Sequence, residues 1–152
     1  MPRRILVALE LNSEIASEVL VKARELCGTD DELAVLNVVD PTTLAYVADP
    51  SMTGKMMQAN YEQALLSARD QLIKLCAPYD IGPEACEVRY GRIAHQVHQR
   101  LDEGDFDVLV VGSHGRSGWR RLLGSVAASI LHGVPVDTWV VKIGKPADSA
   151  ED

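Results

Sequence analysis

The chain has 152 residues, of which 47% are hydrophobic and 24% charged, a composition typical of one soluble globular domain. Its 22 acidic residues outnumber the 15 Lys and Arg, and the net charge of −7 disfavours binding to nucleic acid or to anionic membranes. An anionic small molecule in a local basic pocket is compatible with that charge. No apolar run reaches the ~20 residues of a transmembrane helix. The apolar run over 5–9 is also shorter than the roughly 7–15 residues of a signal peptide core.

Three widely spaced cysteines bear on the redox environment: Cys27, Cys76 and Cys86. Their odd number and the lack of a C-x-x-C pair argue against a disulfide framework or a redox motif. We therefore predict buried thiols and a reducing, cytoplasmic location.

Strands and helices alternate along the first part of the chain. The apolar run over 3–9 predicts a strand buried on both faces. Asn12 or Ser13 can cap a following helix that Gly28 ends. The apolar stripe of this helix is Ile15, Val19, Ala23 and Leu26. Residues 32–39 predict a second buried strand, and an irregular stretch follows over 40–51.

The same alternation continues to the end of the chain. A long helix is predicted from about 52 to 78, then an edge strand over 84–90 and a helix that ends at Gly104. The face of the long helix predicted to be buried is Met57, Tyr61, Leu65, Ala68, Leu72 and Leu75. The last elements are a buried strand over 107–111, a short helix near 126–131 and a strand over 136–143. The domain is thus expected to span 1–143, with a polar, disordered tail over 144–152.

The order βαβαβαβαβ predicts an α/β fold, a parallel sheet with helices on both faces. Ligands of such sheets bind beyond the carboxyl ends of the strands, where the strand order reverses. The loops to consider are therefore 9–13, 39–41 and 112–125.

The third of these loops reads G-S-H-G-R-S-G-W-R-R-L-L-G-S over 112–125. Its glycines let backbone N–H groups approach a ligand closely, and the helix that begins after it offers unpaired N–H donors. Arg116, Arg120 and Arg121 add three cations. Together these features favour a phosphate site over a plain surface loop. The loop contains neither a Walker nor a dinucleotide fingerprint.

Four segments carry a family resemblance: I-L-V-A at 5–8, N-V-V-D-P at 37–41, V-V-G-S-H-G-R-S-G at 110–118, and G-S-V-A at 124–127 leading to V-P-V at 134–136. Together they resemble the universal stress protein family, over residues 3–142. The resemblance implies an open five-stranded parallel sheet of the adenine-nucleotide alpha-hydrolase-like, Rossmann-like type. It also implies homodimers formed through the last strand, Val136 to Ile143, and in many members ATP binding.

The sequence departs from the ATP-binding pattern of that family, G-x2-G-x9-G-[ST], at two places. Only eight residues separate Gly115 from Gly124, and Glu10 stands where the family usually has Asp. Carried over by position, Val38 lines the adenine pocket and Glu10 faces the nucleoside. Backbone groups of the loop and of the following helix meet the phosphates.

The nucleotide site expected from these arguments combines three strand ends with the glycine-rich loop. Its residues are Ala8, Leu9, Glu10, Val38, Val39, Val111, Gly112, His114, Gly115, Arg116, Gly124, Ser125 and Val126. The expected ligand is ATP, with AMP or ADP as alternatives and Mg²⁺ as an accompanying ion.

Three functions are compatible with this site. The first is a cytoplasmic stress-response homodimer in which the nucleotide is a sensor or regulatory ligand. The second, favoured by the shorter loop, is a dimeric module without nucleotide that docks on a transporter or signalling protein. The third is a slow ATPase with His114 or Glu10 assisting water. Binding is preferred to catalysis because no nucleophile, base and orienting group can be assembled from the spacing.

Two further residue groups need an interpretation. His95 and His98 are three apart on one predicted helix, which suits a metal pair, but solvent-facing or half-buried histidines are the favoured interpretation. Trp139 is expected at a subunit contact, with Val140, Val141 and Ile143 adding apolar surface to the edge of the sheet.

Overall fold

The computed structural model describes residues 2–41, 51, 53–113 and 126–143, and only the backbone of 126 and 127. Its five strands form one parallel sheet in the order β3-β2-β1-β4-β5. They are β1 Arg4–Ala8, β2 Glu32–Val39, β3 Cys86–Tyr90, β4 Val108–Gly112 and β5 Asp137–Val141. The helices are α1 Ser13–Leu26, α2 Gly54–Cys76, α3 Ile93–Gly104 and α4 Val126–Leu131. The predicted fold class is confirmed.

Two apolar clusters cover the two faces of the sheet, as the period-2 alternation of strands requires. On one face Ile5 and Val7 of β1 pack with α1 and α2, and on the other Leu6 packs with α3 and α4. All three side chains are fully buried. The continuous apolar runs of β1 and β4 therefore follow from burial on both faces.

Helix α1 begins as predicted, and it buries a wider face than the predicted stripe. The Asn12 side chain accepts hydrogen bonds from the backbone N–H of Glu14 and Ile15, at 3.0 and 3.3 Å. The buried residues are Ala16, Val19, Leu20 and Ala23. The expectation for Leu26 was wrong, since it lies in the last helical turn and is 37% exposed. The buried stripe is wider than one residue per turn. A single series of residues spaced by three or four therefore includes only part of it.

Helix α2 packs on the sheet mainly through its second half. It begins after the cap residue Thr53 and ends at Cys76, where a 3₁₀ turn containing Pro78 follows. Its buried residues are Ala68, Leu72 and Cys76. The predicted face is confirmed as fully buried at Ala68 and Leu72, and its other four residues are half-buried: Met57, Tyr61, Leu65 and Leu75. The first half of the helix meets only the rim of the sheet, where the Tyr61 and Tyr90 rings lie 5.2 Å apart.

The two edge strands differ in chemistry. Arg89 of β3 forms ion pairs of 2.7 Å with Glu87 and with Glu103, and these partners raise the pKa of its guanidinium. On β5, Val140 is 43% exposed. The expectation that Val141 and Ile143 add to the apolar edge was wrong, because both are only 5% exposed and belong to the core on the α1 face.

The three cysteines differ in burial. Cys76 and Cys86 are buried as predicted, and burial raises the pKa of the Cys76 thiol to about 12, whereas Cys27 is only half-buried.

None of the helices in the part of the chain described here is long and apolar enough to cross a membrane. The irregular stretch 42–50, the glycine-rich loop over 114–125 and the tail 144–152 lie outside the described residues.

Candidate functional site

The strand order reverses between β1 and β4, and both strands end at the same level of the sheet. Ala8 is paired with Leu36 of β2 on one side and with Val111 of β4 on the other. In parallel sheets with helices on both faces, this switch point is where ligands bind. The three strand ends that the sequence analysis singled out are therefore neighbours.

The predicted site residues of these strand ends divide between the two faces of the sheet. Ala8, Val38 and Val111 all belong to the face covered by α3 and α4. Leu9 is 4% exposed and packs in the core on the α1 face, so only its backbone is available to a ligand. Strand alternation directs the half-buried Val39 side chain to the α1 face as well.

A buried amide fixes the end of β1. Asn37 is 7% exposed, and its side-chain nitrogen donates a 2.8 Å hydrogen bond to the Leu9 carbonyl. The Leu9 N–H in turn donates to the Leu36 carbonyl at 2.9 Å. These bonds hold the backbone just before the exposed Glu10. Asn37 was quoted in the sequence analysis only as part of a motif; its signal was a polar residue inside an apolar strand.

The end of β4 needs a residue without a side chain. A Cβ atom placed on Gly112 would lie 2.6 Å from Cγ2 of Val19 in α1. Because real carbon atoms do not approach so closely, Gly112 lets α1 pack directly on the strand. This role of Gly112 is separate from the phosphate contact that the resemblance implies.

The residue after Gly112 joins β4 to β5. Ser113 is 1% exposed, and its backbone N–H donates to the Val141 carbonyl at 2.9 Å. Its hydroxyl donates to the same carbonyl at 3.3 Å and accepts from the Ile143 N–H at 3.3 Å. This bridge is not predictable from the sequence, since nothing in the pattern distinguishes a buried serine from a loop serine.

The remaining predicted site residues lie outside the described part of the chain. These are His114, Gly115, Arg116, Gly124, Ser125 and the side chain of Val126. Arg120 and Arg121 belong to the same segment.

The two histidines of α3 differ in their surroundings. His95 is exposed, whereas His98 is half-buried and its Nε2 forms a hydrogen bond with the Ile130 carbonyl of α4. The favoured interpretation of both is thus confirmed, and His98 joins the two helices. Within the described ranges, no group of three or more His, Cys, Asp or Glu side chains is placed to hold a metal ion.

A cavity of about 640 Å³ lies at the opposite, amino end of the sheet. Arg4 and Arg100 flank the Phe106 ring, with their guanidinium carbons 4.8 and 4.9 Å from its centroid. Arg4 is paired with Glu32 at 3.3 Å and Arg100 with Glu87 at 2.8 Å. These cations are thus engaged with carboxylates and with the Phe106 ring.

Residues 1–142 match the model of the universal stress protein family. The chain belongs to the universal stress protein family. This universal stress protein is 31% identical over 141 residues to universal stress protein A homolog 1 of Coxiella burnetii, covering 91% of this chain and 95% of that protein.

Solved structures share the fold of this universal stress protein. Hypothetical protein MJ0577 matches with a TM-score of 0.72 and 18% identity, over 95% of this chain and 99% of that one. A universal stress protein family protein from Arabidopsis thaliana, solved with AMP bound, matches with a TM-score of 0.60 and 19% identity, over 99% and 100% of the two chains. A universal stress protein in complex with cAMP matches with a TM-score of 0.56 and 20% identity, over 94% and 98%.

Proposed function

We propose that this universal stress protein binds an adenine nucleotide at the carboxyl ends of β1, β2 and β4. The observation that carries the proposal is that Ala8, Val38 and Val111 share one face of the sheet at the switch point. Small and branched apolar side chains there suit a flat base. The glycine-rich loop, which starts from Gly112 in the same place, suits phosphate.

Two of the similar structures support the ligand class, since one contains AMP and another cAMP. For this chain ATP is the proposed ligand, with ADP or AMP as alternatives and Mg²⁺ as an accompanying ion. The arginines of 116–121 supply the charge that a triphosphate needs. Glu10, exposed after β1, is proposed to face the nucleoside.

The proposed role is regulatory. The protein acts in the stress response as a cytoplasmic homodimer, and the nucleotide is its regulatory ligand. Nucleotide binding is proposed to change how the homodimer interacts with a protein partner. The described strand ends present apolar contacts, backbone groups and the exposed Glu10 carboxylate, and a regulatory role is preferred because the sequence spacing assembles no nucleophile, base and orienting group. Slow hydrolysis assisted by His114 or Glu10 is the catalytic alternative.

Isothermal titration calorimetry tests the binding. ATP, ADP, AMP and cAMP are titrated into the purified chain with and without Mg²⁺, and GTP serves as the control for the base. We expect saturable heat with the adenine nucleotides and none with GTP. Val38→Trp fills the proposed base pocket and is expected to abolish binding. Val39→Trp is the matched control, because the neighbouring side chain faces the other side of the sheet.

The absence of both binding heat and a thermal shift at millimolar nucleotide, in a folded wild-type chain, would contradict the binding proposal. It would favour the second candidate, a dimeric interaction module without nucleotide, which the loop one residue shorter than the family pattern supports. Native mass spectrometry of the chain as purified then finds no bound nucleotide.

The dimer is proposed to form through the last strand, Val136 to Ile143, where Val140 is 43% exposed on an open edge. Pairing two such edges across a two-fold axis satisfies their free backbone groups. Val140→Glu is expected to give monomers in sedimentation velocity. Val21→Glu, at a residue of α1 that is 44% exposed, is the matched control and leaves the dimer intact.

A further inference from the structure

Ser113 links two parts of the molecule that the proposed function uses separately. It follows Val111 and Gly112 at the end of β4, which belong to the candidate nucleotide site. Its hydrogen bonds go to Val141 and Ile143, at the end of the edge strand β5. The serine is 1% exposed, so water does not compete for these bonds.

The hydroxyl does what the backbone ladder cannot do at this point. The ladder between β4 and β5 ends at the pair Gly112 and Val141. Beyond it, the hydroxyl accepts from the Ile143 N–H at 3.3 Å and donates to the Val141 carbonyl at 3.3 Å. Without it, the buried Ile143 N–H would lose this acceptor, and an unsatisfied buried donor is costly. The hydroxyl therefore extends the connection made by the backbone to Ile143, two residues beyond the end of β5.

We infer that Ser113 is a positioning residue that couples occupancy of the nucleotide site to association of the β5 edges. A ligand that shifts the end of β4 moves the Ser113 hydroxyl, and with it the backbone of 141–143. The inference rests on the proposed function, since it needs both the nucleotide site and the dimer. Ser113 touches neither the nucleotide nor the partner chain in this scheme.

The test measures the dimer dissociation constant by sedimentation equilibrium, with and without saturating ATP. The ratio of the two constants is the coupling, and ratios of about 5- to 150-fold are usual for coupled sites. We expect a ratio in this range for the wild type and a ratio near one for Ser113→Ala. Ser113→Thr keeps the hydroxyl and is expected to restore the coupling.

Ser67→Ala is the control for the loss of a serine hydroxyl. Ser67 is exposed on α2 and belongs neither to the candidate nucleotide site nor to the β5 edge, so its removal should leave the coupling unchanged. If Ser113→Ala does not fold, Ser113→Cys takes its place, because a thiol is a weaker donor and acceptor of similar size.

The outcomes separate this inference from the proposed function. A wild type that binds no ATP or does not dimerise contradicts the proposed function itself, and the inference goes with it. A wild type that binds and dimerises without coupling overturns the inference alone. A folded Ser113→Ala chain that melts earlier but keeps the wild-type ratio also overturns it, because the hydroxyl is then only structural.

Discussion

Gly112 shows how one absent methyl group determines the packing at the carboxyl end of β4. Val19 of α1 occupies the space that a Cβ would need, at 2.6 Å, and Ile143 lies 3.5 Å away. Val19 is 1% exposed and Ile143 5%, so neither has a free rotamer to move into. Packing alone therefore requires a glycine at this position, whatever ligand binds nearby.

We expect Gly112→Ala to destabilise the fold by about 1–3 kcal/mol, the usual cost of overpacking a core. The cost should shrink when Val19→Ala removes the obstructing methyl group, which a double-mutant cycle in urea reveals. Gly54→Ala is the control, because nothing lies within 4 Å of a Cβ placed there. Additive effects of Gly112→Ala and Val19→Ala would contradict this account.

Asp31, at the amino end of the sheet, is expected to make the free energy of unfolding depend on pH. Its carboxylate accepts hydrogen bonds from the Arg3 backbone and guanidinium at 2.8 Å and from the Gly28 N–H at 2.8 Å. These donors, the Arg3 guanidinium first, hold the pKa of Asp31 well below its usual range. A carboxyl with a lowered folded pKa stabilises the fold above its unfolded pKa of about 4, and this stability is lost as the pH falls towards the folded value.

The expected result is that Asp31→Asn lowers the melting temperature at pH 7, and that the difference from wild type narrows below about pH 4. Thermal melts between pH 7 and pH 3 measure it. Asp30→Asn, at the exposed neighbouring residue, should show no such convergence. A constant difference at every pH would mean that Asp31 acts through shape rather than charge.

At the scale of single residues, the sequence predicts roles that depend on neighbours in the chain, but not hydrogen bonds between distant residues. Asn12 was predicted as a helix cap because its local chemistry decides that role. The bonds of Asn37 to Leu9 and of Ser113 to Val141 join residues 28 apart in the chain, and local patterns contain no information on such pairs.

Among the elements, α2 presents one buried and one exposed face. Leu72 is fully buried in the core on the α1 face, whereas Leu66, on another side of the same helix, is 61% exposed. Leu72→Ala is expected to cost about 2–5 kcal/mol of unfolding free energy. Leu66→Ala should change it by less than about 0.5 kcal/mol. Urea denaturation of both variants checks the contrast, and similar losses would contradict the assignment of the two faces.

The bounds of the elements were predicted best where burial and breakers coincide. The apolar run of β2 stops at Asp40-Pro41, and the strand spans 32–39 as expected. The face of α2 was predicted correctly but its depth of burial was not, because helical spacing shows which residues share a side but not how far the sheet beneath them extends. The same limit explains Val141 and Ile143, which look like edge residues in the sequence and lie in the core.

The molecule as a whole is a sheet with a core on each face, and its class could be predicted from the alternation of elements alone. A reversal of strand order was expected for this class of sheet, and the coordinates add the full order of the five strands. The candidate site is predictable in place, because parallel strands end at one edge. The division of its residues between the two faces required the coordinates.

We propose that the domain comprises 1–143, since Ile143 is 5% exposed and belongs to the core. Removal of 144–152 is expected to leave the melting temperature unchanged. Removal of two further residues, back to Val141, should lower it, because the Ile143 side chain and its bond to Ser113 are lost. Calorimetric melts compare the two truncations, and a large loss in the shorter deletion would extend the domain.

The unlike edges of the sheet also bear on the size of the proposed assembly. Two copies joined through β5 would leave a β3 strand at each end of a continuous ten-stranded sheet. On that strand Arg89 is paired with Glu87 and with Glu103 of α3, so charged side chains lie on the face of the sheet beside each outer edge. Because a two-fold contact uses the β5 edge of both copies, a third copy could not add to the proposed dimer through the same contact.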